Sequence, residues 1–82
     1  VDYSLHSSKP KNIEEQQEFV VSSFPNVGRN TAKIILNNFG SIKRLVNSTE
    51  KELSDLKGIG KKISQSLVEM FDKEYKKENK NN

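Results

Sequence analysis

Two short glycine-containing turns hold the residues of this chain whose types and spacing could bind a ligand. They read Phe24-Pro-Asn-Val-Gly28-Arg29 and Leu56-Lys-Gly-Ile-Gly60-Lys61. Each turn is expected to lead directly into a helix, whose first backbone N–H groups have no partner within the helix and can bind an anion. Gly58 and Gly60 permit positive φ and lack a Cβ, so a ligand can approach the backbone closely. The pattern therefore indicates phosphate binding.

Basic side chains follow both turns at positions where ordinary helices favour Asp or Glu. The residues concerned are Arg29 and Lys33 in the first helix, and Lys61 and Lys62 in the second. No acid occurs in residues 19–49 or 56–68. Positive charges at the positive end of a helix dipole repel one another, so the arrangement is favourable when an external anion is bound there. The alternative is a tight structural turn whose basic neighbours extend into water.

The two turns belong to a sequence repeat, whose two copies are offset by 32 residues. The apolar skeleton repeats with the turns: Val21 corresponds to Leu53, Phe24 to Leu56, Val27 to Ile59, Ile35 to Leu67, Leu36 to Val68 and Phe39 to Phe71. One such unit has an apolar face with nothing to cover it, whereas two units can cover each other. The sequence therefore predicts an all-α domain of about five helices with a pseudo-twofold repeat.

Capping residues and apolar periodicity divide each unit into helix, turn and helix. The predicted elements are a helix capped by Asn12 and ended by Pro25, a helix from Thr31 to Phe39 closed by Gly40, a connecting helix capped by Ser41, a helix opened by a capping box at Ser48 or Thr49, and a helix from about Lys61 toward Tyr75. The domain is predicted to span residues 12–75. Its parts are motif one (12–39), the connecting helix (41–47) and motif two (49–75), between polar, flexible tails at 1–11 and 76–82.

Composition limits the functions that this sequence can support. The 82 residues are 32% hydrophobic and carry a net charge of +3, which is enough for one small core. Cysteine is absent, so no thiolate metal site or disulfide is expected, and an intracellular location is the default. No apolar run could cross a membrane. His6 stands alone in a tail, and we predict no catalytic group, metal or cofactor.

The ordered segments resemble the C-terminal tandem helix-hairpin-helix domain of XPF-type structure-specific endonucleases, and in particular the archaeal helicase-associated endonuclease Hef. The resemblance covers about residues 13–75. It rests on the segments Ile13 to Gly28, Leu36-Asn-Asn-Phe-Gly-Ser-Ile42 and Glu52-Leu-Ser-Asp-Leu-Lys-Gly-Ile-Gly-Lys-Lys-Ile63. A domain of this kind would follow a nuclease domain, bind branched, forked or flapped DNA, and pair with a second copy or a paralogous partner.

Carried over by position, the resemblance implies a specific set of DNA-binding residues: Asn26, Gly28, Arg29, Asn30, Thr31, Lys33, Gly58, Gly60, Lys61 and Lys62. Asn26 replaces the usual Gly, and Asn30 stands where a basic or small residue is common, so we expect the first hairpin to bind less strongly. By the same resemblance, an apolar surface formed by Met70, Phe71 and Tyr75 would pair two copies.

The expected function is DNA binding through backbone phosphates without reading of base sequence. The domain itself is expected to be non-catalytic and to target a DNA repair helicase or endonuclease to branched DNA, in the cytoplasm if the source is archaeal. Two alternatives stay open: a dimerisation module with little DNA contact of its own, and the equivalent domain of a bacterial excision-repair nuclease subunit.

Overall fold

The computed structural model describes residues 11–77, which contain five α-helices and no strand. The helices are α1 (Ile13–Ser22), α2 (Arg29–Phe39), α3 (Ile42–Val46), α4 (Glu50–Ser54) and α5 (Gly60–Asp72). The prediction of an all-α fold with about five helices is confirmed. Helices α1 and α2 pack against each other in the first half of the chain, and α4 packs against α5 in the second half.

Side chains cap the three helices that do not follow one of the two hairpin turns. The side chain of Asn12 accepts a hydrogen bond from the backbone N–H of Glu15 at 2.8 Å, and Ser41 accepts one from Arg44 at 3.1 Å. Thr49 and Glu52 form a complete capping box at the start of α4. These caps fix where α1, α3 and α4 begin, as the sequence predicted.

The buried core draws on both halves of the chain and on the short helix between them. Its apolar members are Val21, Val27, Ala32, Ile35, Leu45, Leu53, Ile59 and Leu67. Contacts between the halves close it: the ring centroids of Phe24 and Phe71 lie 5.6 Å apart, edge to face. At the second turn, a Cβ on Gly58 would lie 3.7 Å from Cδ1 of Ile34. Each half therefore covers the apolar face of the other, as the repeat predicted.

Two predicted helix boundaries were wrong by two or three residues. Helix α2 begins at Arg29 rather than Thr31, because Gly28 is its N-cap residue. Helix α5 ends at Asp72 rather than near Tyr75, since the backbone of Lys73 is extended. Gly40 does close α2, with a φ of 86°. The sites at both hairpins consequently lie at the first residues of the two longest helices.

Residues 1–10 and 78–82 lie outside the described residues, so His6 and most of the two predicted tails do too. Among the helices of residues 11–77, none is long and apolar enough to cross a membrane.

Candidate nucleic-acid interface

The first hairpin joins α1 to α2 through a turn held by backbone hydrogen bonds. The N–H of Val27 donates to the carbonyl of Phe24 at 3.1 Å, and the N–H of Ala32 donates to Gly28 at 2.9 Å. Asn26 occupies the left-handed region with a φ of 66°, which Asn tolerates better than other non-glycine residues. The buried Val27 anchors the turn to the core, so the start of α2 has a fixed position.

The second hairpin repeats this anchoring but differs in its backbone angles. The N–H of Ile59 donates to the carbonyl of Leu56 at 3.2 Å, which matches the first turn at an offset of 32 residues. Gly58 and Gly60 both have positive φ, at 92° and 73°. A side chain at either position would be strained, so both positions favour glycine.

The helix that follows each hairpin begins without a side-chain cap. Neither α2 nor α5 has a capping hydrogen bond from a side chain or an acid in its first turn, in contrast to α1 and α4, which have both. The first N–H groups of an α-helix have no acceptor within the helix. The backbone amides at the starts of α2 and α5 are therefore available to an anion, with the helix dipole in its favour.

The predicted binding residues lie mainly on the surface at these two helix starts. Exposed members of the set are Asn26, Gly28, Arg29, Asn30, Lys33, Gly58, Gly60, Lys61 and Lys62, whereas Thr31 is half-buried. The structure thus exposes all the predicted cations, with Arg29, Lys61 and Lys62 at the uncapped helix starts and Lys33 one turn into α2. Among residues 11–77, no group of three or more His, Cys, Asp or Glu side chains is arranged to hold a metal ion.

An acid approaches the first hairpin, contrary to the sequence-based expectation that none lies near either helix start. Oε1 of Glu18, on α1, is 3.5 Å from Nε of Arg29. The expectation was wrong because Glu18 is eleven residues from Arg29 along the chain, while the packing of α1 on α2 brings the two together. At the second hairpin, neither Lys61 nor Lys62 forms an ion pair with another described residue.

Sequence reasoning missed Ser64, which is fully buried one turn into α5. Its hydroxyl lies 2.9 Å from the carbonyl oxygens of both Gly60 and Lys61 and donates to this pair of acceptors. The corresponding residue in the first unit is Ala32, which is also fully buried. The repeat could have identified this residue, because Ser64 is a polar residue at the position that corresponds to the core residue Ala32. Ser64 contacts the same peptide groups that present the amides of Lys61 and Lys62.

The three residues of the predicted pairing surface occupy different environments. Met70 is 52% exposed and Tyr75 is 82% exposed, and both line a shallow groove together with Pro25 of the first hairpin. Phe71 instead packs on Phe24 and on the core of its own chain. Of the three, Met70 and Tyr75 are the side chains that leave most of their apolar surface open.

Comparison with known proteins identifies the architecture. Residues 19–79 match the family of the helix-hairpin-helix motif. The chain is 34% identical over 80 residues to the 3′-flap repair endonuclease Xpf of Saccharolobus solfataricus, with 96% of this chain and 34% of the relative covered. It is 33% identical over 63 residues to a protein named as an ATP-dependent RNA helicase of Methanocaldococcus jannaschii, with 77% of this chain and 8% of the relative covered.

A solved structure gives the same result in three dimensions. XPF from Aeropyrum pernix, in complex with DNA, superposes with a TM-score of 0.77 at 31% identity. The match covers 87% of this chain and 36% of that protein, so the chain spans about a third of the length of its XPF relatives. The chain therefore belongs to the helix-hairpin-helix family, and its resemblance to the tandem domain of XPF-type proteins is confirmed.

Proposed function

We propose that this domain binds the phosphate backbone of DNA at the amide-rich starts of α2 and α5, with little dependence on base sequence. One contrast carries the proposal: α1, α3 and α4 begin with a side-chain cap, whereas the two hairpin helices begin with open amides and exposed cations. Open amides at the positive end of a helix dipole select an anion, and a phosphate diester supplies one at each nucleotide.

Two binding sites on one rigid body favour a duplex or a branched duplex over an isolated phosphate. Backbone contacts at two points position a protein on DNA without reading bases. The XPF structure that superposes on this chain was solved with DNA bound, which supports DNA as the polyanion. Preference for forked or flapped DNA, and a parent protein with helicase or endonuclease activity, form part of the proposal. We also propose that the domain is intracellular and that it performs no catalysis itself.

The proposal is tested by an NMR titration of the domain with a short forked duplex at low salt. We expect the amide signals of Gly28, Gly60 and Lys61 to shift most when the duplex is bound, because these groups lie at the two helix starts. At physiological salt the dissociation constant should lie in the range of about 1 to 100 µM, as for other binding that depends on phosphate charge, and it should be lower at low salt. A second duplex of unrelated sequence should give the same shifts. Shifts confined to other surfaces would contradict the proposal.

A second role, pairing of two copies, is favoured by the exposed groove at Met70 and Tyr75. Apolar side chains that rim a groove are typical of association surfaces. Phe71 contributes less to this role than the sequence indicated, because much of it packs against Phe24. Sedimentation of the parent and of a Met70→Ser, Tyr75→Ser variant tests it. We expect the parent to dimerise at high micromolar concentration and the variant to remain monomeric, whereas a monomeric parent would exclude pairing through this surface.

A further inference from the structure

The two hairpins differ in the charge that surrounds their cations. The guanidinium of Arg29 contacts the carboxylate of Glu18, and Glu14 and Glu18 line one shallow cleft together with Lys33. The repeat counterpart of Glu18 is Glu50, which forms no ion pair with Lys61, the counterpart of Arg29, in the described part of the chain. The first hairpin therefore carries an internal anion beside its cations, and the second does not.

The contact between Glu18 and Arg29 is of the kind that an external anion can displace. It joins one carboxylate oxygen to Nε at 3.5 Å and is not a bidentate pair. The side chain of Arg29 is 61% exposed, whereas that of Glu18 is 21% exposed and is held on α1. Exposed ion pairs with such geometry contribute little stability. The remaining guanidinium N–H groups can still reach a phosphate, for which Arg has good geometry.

We infer that Glu18 competes with the DNA phosphate for Arg29 and thereby weakens the first hairpin relative to the second. This inference rests on the proposed function, and it names a residue that regulates that same site. A phosphate that approaches the start of α2 either shares the guanidinium of Arg29 with the carboxylate or displaces it, and the carboxylate repels the phosphate in both cases. The start of α5 imposes no such cost. DNA consequently engages the second hairpin first, and the first hairpin engages only where the DNA holds a phosphate in the right position.

Replacement of Glu18 by Gln tests the inference, since it removes the charge and keeps the size of the side chain. We expect Glu18→Gln to bind a forked duplex about two- to fivefold more tightly than the parent at low salt, the range that an exposed ion pair supports. Glu50→Gln is the matched control because it makes the same charge change at the repeat-equivalent position. Its effect should be clearly smaller, and both variants should keep the helical circular dichroism spectrum of the parent.

A double-mutant cycle separates competition for Arg29 from a general change in net charge. In an Arg29→Ala background, Glu18→Gln should lose most of its gain, because the cation for which it competes is absent. An unchanged affinity of Glu18→Gln, or a gain that persists in full without Arg29, would overturn the inference. If Lys61→Glu with Lys62→Glu still weakens binding in that case, the proposed function stands without the inference. A parent that fails to bind the duplex at low salt would overturn both.

Discussion

The two hairpins have matching sequences but different backbones and different electrostatic surroundings. Their turns share a backbone hydrogen bond at equivalent positions, Val27 to Phe24 and Ile59 to Leu56. In the first turn one residue, Asn26, has positive φ, whereas the second turn has two such residues, both glycine. In addition, an acid from α1 contacts the first hairpin. A repeat in sequence thus preserves the hydrogen bond and the core anchor, while the binding surface is free to diverge.

The two turns share the residues that pack in the core and differ at some of the residues that face solvent. The buried residues of the turns, Val27 and Ile59, are both β-branched and both fill the core. Some exposed positions near them differ between the two units, as Pro25 differs from Lys57 and Asn30 from Lys62, since core packing does not restrict them. Under the proposed function, the second of two linked sites adds affinity only when the geometry of the DNA lets both sites bind at once.

The largest expected effect comes from reversing the charge of the second hairpin. Lys61→Glu with Lys62→Glu should lower DNA affinity by about tenfold or more at low salt. For the parent, a plot of the logarithm of affinity against the logarithm of salt concentration should have a slope of about −3 to −4, and for the variant the magnitude of this slope should be smaller by roughly two. The same variant places acids where a helix start favours them, so the melting temperature should hold or rise slightly. Fluorescence anisotropy over a salt series and thermal denaturation measure the two quantities.

The equivalent charge reversal at the first hairpin is the control. Because Glu18 contacts Arg29, this variant is expected to differ from the first in both affinity and stability. Arg29→Glu with Lys33→Glu should weaken binding less, because Glu18 already offsets part of the charge there. It should also lower the melting temperature, since a Glu at position 29 would face Glu18 instead of pairing with it. Equal losses of affinity at the two hairpins, with stability rising in both variants, would show that the asymmetry has no effect in solution.

A smaller effect is expected when the matched glycines of the two turns are replaced. Gly60→Ala should lower the free energy of unfolding by about 1 to 2 kcal/mol, because Ala at a φ of 73° is strained. Gly28→Ala should change stability little: its φ is −92°, and a Cβ there would have no atom within 4 Å. Urea denaturation of both variants measures the difference. Equal destabilisation by the two changes would mean that the turns have the same backbone after all.

Local signals in the sequence determined most of the fold. Asn12, Ser41 and Thr49 are strong N-cap residues, and the structure uses all three as caps. The repeat identified the core, because the apolar positions that recur at an offset of 32 are those that become buried or half-buried. The end of α5 could not be predicted in the same way, since no Gly or Pro follows Asp72 to stop the helix.

Contacts between helices were beyond the reach of the sequence. Spacing along the chain placed Glu18 in an acidic first helix, and only the packing of α1 against α2 brings it to Arg29. Cations at helix starts follow from local sequence, whereas their partners follow from tertiary structure. The sequence therefore predicted a weaker first hairpin from Asn26 and Asn30, but not the contact of Arg29 with Glu18.

The smallest expected effect concerns the buried side chains one turn into each hairpin helix. Gly60 O belongs to the peptide group that carries the N–H of Lys61, and Lys61 O to the one that carries the N–H of Lys62. A hydroxyl that donates to these carbonyls polarises the peptide groups and makes their N–H groups better donors. Ser64 provides such a hydroxyl at 2.9 Å, and the first hairpin has Ala32 in its place.

Exchange of these two residues is therefore expected to alter binding without altering the fold. Ser64→Ala should change the free energy of unfolding by less than about 1 kcal/mol, because the lost hydrogen bond is offset by the better helix propensity of Ala. The amide proton signals of Lys61 and Lys62 should move upfield, and DNA affinity should fall by a factor of about two, within the range of one weakened hydrogen bond. Ala32→Ser should shift the Arg29 and Asn30 amides the other way, since a hydroxyl there can reach the carbonyls of Gly28 and Arg29. If Ser64→Ala leaves both amide signals in place, the hydroxyl only satisfies its own need for a hydrogen-bond partner and does not contribute to the difference between the hairpins.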